Sequence, residues 1–436
     1  MGLSKKPYKG CRDLYPVDKR EQDFIFDTMR TLAQSYGYEP YDGPMLEPVE
    51  LYKAKSGQEL IDDQIYSFKD RGERDVAIRP EMTPTVARMV AGIHREVPKP
   101  IRWYSIPNLM RYERPQKGRL REHWQFNVDI FGPDNVYNEI EILQLGIHLF
   151  EKFGADEKQF GIEINNRLFV DFFLKETLGL DSKKVFNLYK LIDRSKKLKP
   201  SVFEEKLHSL NLNSSSINLL KKYLLIDSIE KFEHFAKEIN FRHSLWDYKT
   251  FFETLKELNI LKYIQFNSSI VRGLDYYTGL VFEIFDKNPE NKRALCGGGA
   301  YAGLMNIFDE DKLPGVGFGL GDVTLKDFLH THTLMPNLSA PRPDIFIASE
   351  DDQLEIETIK ISSSLRGIGL SVLNNTMKLK FNKILQIAQK SDAATVGIIQ
   401  RDKENIQIKI KNFKNKETET FCITDLQGLK GFICHR

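Results

Sequence analysis

The polar side chains best suited to chemistry lie on two strand-like segments, residues 101–113 and 123–132, joined by the cation-rich loop RPQKGRLRE. Side chains of a strand point alternately to its two faces. The second segment therefore presents two different faces. The apolar face consists of Trp124, Phe126, Val128 and Ile130, and the polar face consists of Gln125, Asn127 and Asp129. The sequence predicts a long antiparallel hairpin whose polar face can hold a ligand.

The loop of this hairpin adds positive charge above the polar face. Arg111 and Glu113 share one face of the first segment, and the loop supplies four cations, Arg114, Lys117, Arg119 and Arg121. Cationic side chains bind phosphate groups, whereas amide and acid side chains suit a zwitterionic small molecule. The combination predicts a site for a polyphosphate beside such a molecule. A solvated surface with satisfied ion pairs is the alternative interpretation of the same residues.

Three other segments carry candidate residues, each with a structural alternative. In RGLDYYTGLVFEIF, Arg272 precedes Tyr276 and Tyr277, and only one of these two tyrosines can face a site on an extended chain. In the alternative interpretation, one tyrosine lies in the core and the other on the surface. Three consecutive glycines in CGGGAYAGL let the backbone approach a ligand closely, although ordinary turns use such glycines too. In RPEMTPTVARM, Glu81 and Thr83 come just before a helix, where Thr83 could serve only as the N-cap.

Composition excludes several classes of protein. The 436 residues carry a formal net charge of only +2, which rules out a polybasic wrapping protein but permits local basic patches. No apolar stretch is long enough for a membrane span, and the N-terminal residues lack a signal-peptide core. The four cysteines show no metal-ligand spacing, so we expect reduced thiols, a cytoplasmic location and no metal held by protein side chains. P-loop, Rossmann, nucleophile-elbow and HExxH motifs are absent.

The order of elements predicts an α+β chain of two domains. Residues 1–330 are predicted to form a β-rich domain, interrupted by a Lys-rich helical insertion at 168–262. Residues 331–342 are predicted to be a linker, and alternating strands and helices over 343–436 predict a smaller, mostly parallel α/β domain. Residues 376–416 contain ten Lys and Arg against three Asp and Glu, which suits contact with phosphates; solvated faces are the alternative.

Taken in chain order, these segments resemble the histidyl-tRNA synthetase family of class II aminoacyl-tRNA synthetases over nearly the whole chain. KGCRDLYP and YGYEPYDGPMLEP are similar to the family's N-terminus and motif 1, RPEMT to its amino-acid loop, and RYERPQKGRLREHWQFNVDIFG to motif 2. RGLDYYTGLVFE and GGGAYAGL resemble its two histidine signatures. Residues 343–436 are similar to its anticodon-binding domain.

This resemblance implies an ATP-dependent ligase whose class II catalytic domain is built on an antiparallel sheet. It implies activation of L-histidine with ATP, supplied with Mg²⁺, to histidyl-adenylate and pyrophosphate, and then transfer of histidine to the 3′ end of tRNA(His). It also implies a homodimer formed through motif 1. The alternative is a non-catalytic paralogue that serves as a regulatory subunit of ATP phosphoribosyltransferase. Such paralogues generally lack the second histidine signature and the anticodon domain, whereas this chain keeps RGLDYY and residues 343–436.

The family pattern also implies which residues contact each ligand. For ATP, Arg111 and Arg272 would hold the α-phosphate. Glu113 would accept from the adenine amino group, and Arg121 would contact the outer phosphates. For histidine, Glu81 and Thr83 would bind the ammonium group, and Gln125 would bind the carboxylate group. The imidazole would be bound by Asp129, Tyr277 and Tyr301. For the acceptor end of the tRNA, the contacts would be Arg114 and Gln116.

Three segments depart from the family pattern. Asp129 stands where relatives commonly have the longer Glu, and Ala300 and Ala302 replace the Arg and Asp of the glycine signature. Motif 3 reads GFGLGDVTL instead of ending in Gly-Leu-Glu-Arg, so Thr324 occupies the position of the arginine that binds the γ-phosphate. We expect Asp322 to cap the next helix, and another cation to replace the missing arginine, namely Arg114, Arg121 or Arg293.

Overall fold

The computed structural model describes residues 2–54, 63–193, 195, 198–210, 212–242, 244–271, 277–291, 293–375, 377, 381–403 and 405–434. The chain forms two compact units, Met1–Pro336 and Asn337–Arg436. The boundary between them falls within the predicted linker at 331–342. Each unit has its own hydrophobic core.

Strands and helices alternate irregularly through the first unit. Its strands are β1 (Glu39–Pro40), β2 (Leu46–Pro48), β3 (Tyr66–Lys69), β4 (Asp75–Ile78), β5 (Ile101–Ser105), β6 (Asn108–Met110), β7 (Glu122–Phe131), β8 (Phe160–Asn166), β9 (Ile264–Phe266), β10 (Leu280–Asp286), β11 (Ala294–Tyr301) and β12 (Gly315–Gly321). Its α-helices are α1 (Pro16–Ser35), α2 (Val49–Lys53), α3 (Thr83–Ile93), α4 (Val136–Lys152), α5 (Arg167–Asp171), α6 (Ser182–Asp193), α7 (Pro200–Ser209), α8 (Ser214–Leu224), α9 (Ile229–Glu238), α10 (Tyr248–Glu257) and α11 (Asp322–Thr331). A π-helix (Phe172–Thr177) follows α5, and short 3₁₀ turns lie at Leu261–Tyr263 and Met305–Phe308.

A nine-stranded, mostly antiparallel sheet organises this unit. Its strands lie in the order β1–β5–β7–β12–β11–β10–β8–β9, with β6 paired to β7. Only the β1–β5 and β8–β9 pairs are parallel. Strands β2, β4 and β3 form a separate three-stranded sheet. The predicted antiparallel-sheet domain is therefore confirmed.

One face of the large sheet is apolar and buried beneath helices. Phe126, Val128 and Ile130 of β7 are at most 1% exposed, and Phe318 and Leu320 of β12 continue the same layer. Helices α4 and α11 pack against this face. The predicted alternation of β7 is confirmed, so the other face is left to carry polar side chains.

The first strand of the predicted hairpin is not continuous. The segment predicted at 101–113 forms β5 and β6, with a break at Pro107, which has no backbone N–H to donate. The carbonyl oxygen of Pro107 instead accepts from the backbone N–H of Gln125, at 3.1 Å. Residues 111–121 form a loop rather than a strand. The prediction that Arg111 and Glu113 share a strand face is therefore wrong.

The predicted helical insertion corresponds to α5–α10. It leaves the sheet after β8 and returns in β9, which pairs in parallel with β8. Its core is rich in aromatic rings that contact one another, including Phe169, Phe173, Tyr223, Phe232, Phe235 and Phe266. This packing closes the insertion against the edge of the sheet.

The second unit is a three-layer α/β arrangement. It contains β13 (Ile345–Ser349), β14 (Val372–Asn374), β15 (Thr395–Asp402), β16 (Asn405–Asn412), β17 (Thr418–Cys422), α12 (Glu355–Gly367), α13 (Phe381–Lys390), α14 (Leu426–Cys434) and a 3₁₀ turn (Asp352–Leu354). The strand order is β14–β13–β15–β16–β17, parallel across the first three strands and antiparallel beyond. Helices α12 and α14 contribute to one core and α13 to a second core.

Candidate active site

A row of glycines forms the floor of the polar sheet face. Gly315, Gly317 and Gly319 alternate along β12, which lies between β7 and β11. A Cβ atom at Gly317 would lie 2.3 Å from Oδ1 of Asp129, and one at Gly319 would lie 2.6 Å from Nε2 of Gln125. The side chains of β7 therefore lie across the glycines of the neighbouring strand. Any larger residue at Gly317 would displace Asp129.

The acid most deeply placed on this face is Asp129, which is 5% exposed. The buried Tyr301 on β11 donates a hydrogen bond from its hydroxyl group to Oδ1 of Asp129. Glycine at 315 makes room for this tyrosine, since a Cβ atom there would lie 2.5 Å from its Cε2. Burial raises the pKa of Asp129 to about 7, whereas the Tyr301 hydrogen bond opposes that rise. Two of the predicted imidazole ligands are thus brought together.

Tyr277 approaches the same face from the segment before β10. It is buried, and a Cβ atom at Gly299 would lie 2.7 Å from its Cδ1, so its ring packs over that glycine. Gly299 lies opposite Gly317, which in turn lies opposite Asp129 in the strand register. Tyr277 and Asp129 therefore stand over the same row of the sheet. The predicted catalytic residue Arg272 lies outside the described residues, as does Tyr276.

Glu81 and Thr83 lie at the beginning of α3. Glu81 is 5% exposed, and Thr83 is half-buried as the first residue of the helix. Met82 occupies the cap position and no side chain caps the helix, so the alternative that Thr83 serves only as N-cap is wrong. Arg111 ties this segment to the hairpin, because its Nε donates to the carbonyl oxygen of Pro80 at 2.8 Å.

Glu113 and Arg119 form an ion pair at the loop end of the hairpin. Glu113 is 8% exposed, and its carboxylate accepts hydrogen bonds from Nε and Nη2 of Arg119. Gln116 and Arg119 exchange two backbone hydrogen bonds, of 3.0 and 2.9 Å, which fold the loop into a turn. This turn returns Arg119 to Glu113. The carboxylate assigned to an adenine amino group is therefore held by an arginine.

Arg121 already contacts other residues of the protein. Its Nε donates to the backbone oxygen of Glu113 at 3.1 Å, and its Nη1 donates to the hydroxyl group of Tyr8 at 3.0 Å. Its guanidinium carbon lies 4.1 Å from the ring centroid of Tyr112, a cation–π contact. The predicted contact of Arg121 with outer phosphates would require these interactions to be exchanged.

His123 was missed by sequence reasoning. It lies two residues before Gln125, so the same alternation along β7 could have assigned it to the polar face. Burial and the nearby charges of Arg111, Arg12 and Arg119 lower its pKa to about 3. The imidazole is therefore neutral at physiological pH, among arginines at the loop end of the hairpin.

Asp322 does not cap α11 as predicted. Gly321 occupies the cap position, and no side chain caps this helix. The buried carboxylate of Asp322 instead pairs with Nη2 of Arg12 at 2.5 Å and accepts from the backbone N–H of Trp124 at 2.9 Å. Arg12 was also missed, because a pair separated by about 310 residues leaves no local pattern in the sequence.

In the ranges that the structure describes, no three His, Cys, Asp or Glu side chains are grouped so that they could hold a metal ion. None of the described helices combines the length and apolar character needed to cross a membrane.

Comparison with known proteins places this geometry in context. Residues 10–324 match the family model described as "Histidyl-tRNA synthetase". The chain is 40% identical over 435 residues to a histidine–tRNA ligase of Leptospira biflexa, with 98% of each chain covered. The histidyl-tRNA synthetase structure from Nostoc sp. superposes with a TM-score of 0.75 at 22% identity, covering 99% of this chain and 100% of that one. A Bacillus halodurans structure titled "ATP phosphoribosyltransferase regulatory subunit/histidyl-tRNA synthetase" has a TM-score of 0.73 at 21% identity, with 89% and 97% covered.

Proposed function

This chain belongs to the histidyl-tRNA synthetase family and is a histidine–tRNA ligase, and we propose that a histidine pocket and an ATP site share the polar face of its sheet. The histidine pocket consists of Glu81, Thr83, Gln125, Asp129, Tyr277 and Tyr301. The ATP site consists of Arg111, Glu113, Arg121 and Arg272. The observation that carries this assignment is the buried pair of Asp129 and Tyr301 above the glycine floor. Tyr301 pairs with Oδ1, so an apolar amino acid offers no donor to Oδ2 of this buried acid, and the pocket therefore rejects it.

The histidine pocket recognises the two nitrogens of an imidazole. Tyr301 already donates to Oδ1 of Asp129, so Oδ2 can accept the N–H of the substrate ring. The hydroxyl group of Tyr277, over the neighbouring glycine, pairs with the second ring nitrogen. Glu81 binds the substrate ammonium group with Thr83. An amino acid with a single polar end satisfies only part of this arrangement.

The ATP site promotes attack of the histidine carboxylate on the α-phosphorus. A carboxylate oxygen forms a bond to the α-phosphorus while the bond to the bridging oxygen of pyrophosphate breaks. Two anions approach each other in this step, so fixed cations lower its barrier. Arg111 is anchored to Pro80 through Nε, which fixes the direction of its guanidinium group. Mg²⁺ enters with ATP as part of the substrate complex, and Arg272 acts on the same α-phosphate.

Binding of ATP changes the partners of Glu113. Its carboxylate is bound by Arg119 in the structure, whereas the proposed role requires it to accept from the adenine amino group. Arg119 is released by this exchange and adds positive charge near the phosphates. The exchange leaves no buried charge unpaired, because the adenine amino group replaces Arg119 as the partner of the buried Glu113 carboxylate while the half-exposed Arg119 reaches solvent or phosphate.

The tRNA contacts involve both units. Arg114 and Gln116 are exposed on the hairpin loop and bind the acceptor end of tRNA(His). The second unit binds the anticodon, supported by the Lys-rich sequence over residues 376–416. The ligase acts as a homodimer through its motif 1 segment. We place it in the cytoplasm, in keeping with its four free cysteines.

The regulatory-subunit alternative is not retained. The Leptospira biflexa relative, which matches nearly the full chain, is a histidine–tRNA ligase. The likeness to the Bacillus halodurans structure, at 21% identity, concerns the fold.

Histidine-dependent exchange of pyrophosphate into ATP tests the proposed function directly. We expect the wild-type protein to catalyse exchange with histidine and to charge tRNA(His), and neither reaction to occur with phenylalanine. An Arg272→Ala variant that remains folded is expected to lose exchange. A folded wild-type protein without exchange activity would contradict the enzymatic assignment.

A further inference from the structure

The tip of the hairpin loop lies near Arg293, a half-buried arginine without a hydrogen bond or ion pair to any other described residue. Gly118, at the tip of the loop, has φ +71°, a conformation that glycine adopts readily. A Cβ atom at this position would lie 3.5 Å from Cγ2 of Thr324, 3.8 Å from Cδ of Arg293 and 3.9 Å from Oδ2 of Asp327. The tip of the cation-rich loop therefore lies over the space between the beginnings of β11 and α11.

Arg293 differs from the other cations near the ATP site. Arg119 is held by Glu113, Arg121 by Tyr8 and the backbone of Glu113, and Arg12 by Asp322. Within the described ranges, Arg293 makes neither a hydrogen bond nor an ion pair, and its side chain is half-buried. Its guanidinium group can turn to a ligand without breaking an existing pair.

The residues beside Arg293 join the beginning of α11 to β11. The hydroxyl group of Thr324 donates to the carbonyl oxygen of Leu295 at 3.3 Å, which joins the beginning of α11 to β11. Thr324 is uncharged, so it supplies no cation beneath the loop tip, whereas the neighbouring Arg293 does. Asp327 is the acid on the far border of this space, and no ion pair joins it to Arg293.

We propose that Arg293 binds the terminal phosphates of ATP and the pyrophosphate that leaves. This inference rests on the proposed ligase function and assigns one more residue to the ATP site. The triphosphate extends away from Arg111, which contacts the α-phosphate, so a second cation is needed beneath the loop tip. A guanidinium group suits this position because it donates two parallel hydrogen bonds to phosphate oxygens. Of the three cations expected to replace charge at Thr324, Arg114 is exposed and Arg121 is engaged by Tyr8 and Glu113. Arg293 is half-buried and keeps its guanidinium group available among the described residues.

Substitutions at residue 293 test this assignment. In Arg293→Gln, which removes the charge but keeps most of the length, we expect the KM for ATP in the exchange reaction to rise about 10- to 100-fold, the usual effect of losing a charged hydrogen bond. The KM for histidine is expected to be unchanged. Arg293→Lys should recover part of the loss, because lysine supplies charge without the paired geometry. Arg242→Gln, on the surface of the insertion, is the matched control and should behave as wild type.

Two further measurements distinguish loss of the Arg293 charge from a change in fold. They also distinguish failure of the role of Arg293 from failure of the ligase function. Adding Thr324→Arg to the Arg293→Gln variant should restore ATP affinity, because it returns a cation to the same space. Direct binding should show weaker affinity for ATP but unchanged affinity for AMP in Arg293→Gln. An unchanged KM for ATP, or equal losses for ATP and AMP, would overturn the role of Arg293. A wild-type protein without exchange would overturn the ligase function, while the ATP and AMP affinities would still decide the role of Arg293.

Discussion

The histidine pocket and the ATP site lie on one sheet face but are built from different kinds of structure. Asp129 and Tyr301 stand on adjacent rows of paired strands, and the glycines of β12 fix how closely they approach. The ATP site depends on a loop, where Glu113 and Arg119 satisfy each other. The pocket is therefore preformed, whereas the ATP site must exchange partners when its ligand binds.

This difference separates the two ways in which a site achieves selectivity. A buried acid on a strand cannot move to suit a different amino acid, so the histidine pocket selects by leaving wrong ligands unpaired. Arginines on a loop can change partners, so the ATP site adapts to a charged ligand common to many enzymes. Substitutions in the pocket should therefore have larger effects than substitutions in the loop.

Removal of the Asp129 charge should have the largest effect. In Asp129→Asn the pocket loses its anionic acceptor, and we expect kcat/KM for histidine in the exchange reaction to fall by about 10³-fold. ATP binding measured alone should be unchanged, because the ATP site lies at the loop end of the hairpin. A variant with nearly normal histidine activation would show that Asp129 does not contact the imidazole.

A methyl group on the glycine floor should have the next largest effect. In Gly317→Ala the new Cβ atom would lie 2.3 Å from Oδ1 of Asp129 and 2.4 Å from the backbone oxygen of Val128, so the acid and its strand must move by about 1 Å, a displacement that can cost on the order of 10²-fold in rate. Gly92→Ala is the control, since its Cβ atom would have no neighbour within 4 Å. Thermal unfolding of both variants separates loss of activity from loss of fold. Equal exchange rates for the two would contradict a tightly defined floor.

The pH dependence of histidine binding should distinguish the pocket from a simple polar surface. Because the pKa of Asp129 is raised to about 7, both Asp129 and the free histidine ring are protonated at low pH, and their complex must release one proton. Affinity for histidine should therefore fall by up to about tenfold for each pH unit below about 6. Titrations at several pH values check this. Above about pH 7 the free carboxylate and ring carry no shared proton whereas their complex holds one, so wild-type affinity should also fall there. Asp129→Asn binds the neutral ring without taking up a proton and should be flat above about pH 7; parallel profiles in that range would exclude Asp129 as the titrating group.

Removal of Arg119 should have the smallest effect. Arg119→Ala takes one cation from the ATP site but also frees the carboxylate of Glu113, so the two consequences partly cancel. We expect the KM for ATP to change by only a few-fold and the KM for histidine to stay constant. Steady-state exchange kinetics give both values. A loss as large as that of Asp129→Asn would mean that the loop is as rigid as the sheet.

Sequence alone predicted the part of the site that lies on strands. A period of two assigned Gln125 and Asp129 to a polar face and Phe126 to the core, and the structure confirms both placements. The same pattern could have included His123, whose position on β7 follows the same rule. Strand alternation is local, so a short stretch of sequence contains all the information it needs.

Contacts made by loops and distant segments could not be predicted in this way. The pairing of Arg119 with Glu113 depends on the turn between Gln116 and Arg119. This turn leaves no repeating pattern of residues in the sequence. The ion pair between Arg12 and Asp322 joins segments about 310 residues apart. Both contacts follow from the tertiary fold, which also explains why Asp322 serves as an ion-pair partner rather than a helix cap.

A crystal structure with histidine and a non-hydrolysable ATP analogue tests the central claim most directly. We predict that the imidazole lies against Asp129 and Tyr277 with the Asp129–Tyr301 hydrogen bond unchanged, and that Glu113 has left Arg119 for the adenine amino group. A complex in which the Glu113–Arg119 pair persists beside bound nucleotide, or in which the histidine ring lies away from Asp129, would contradict the account.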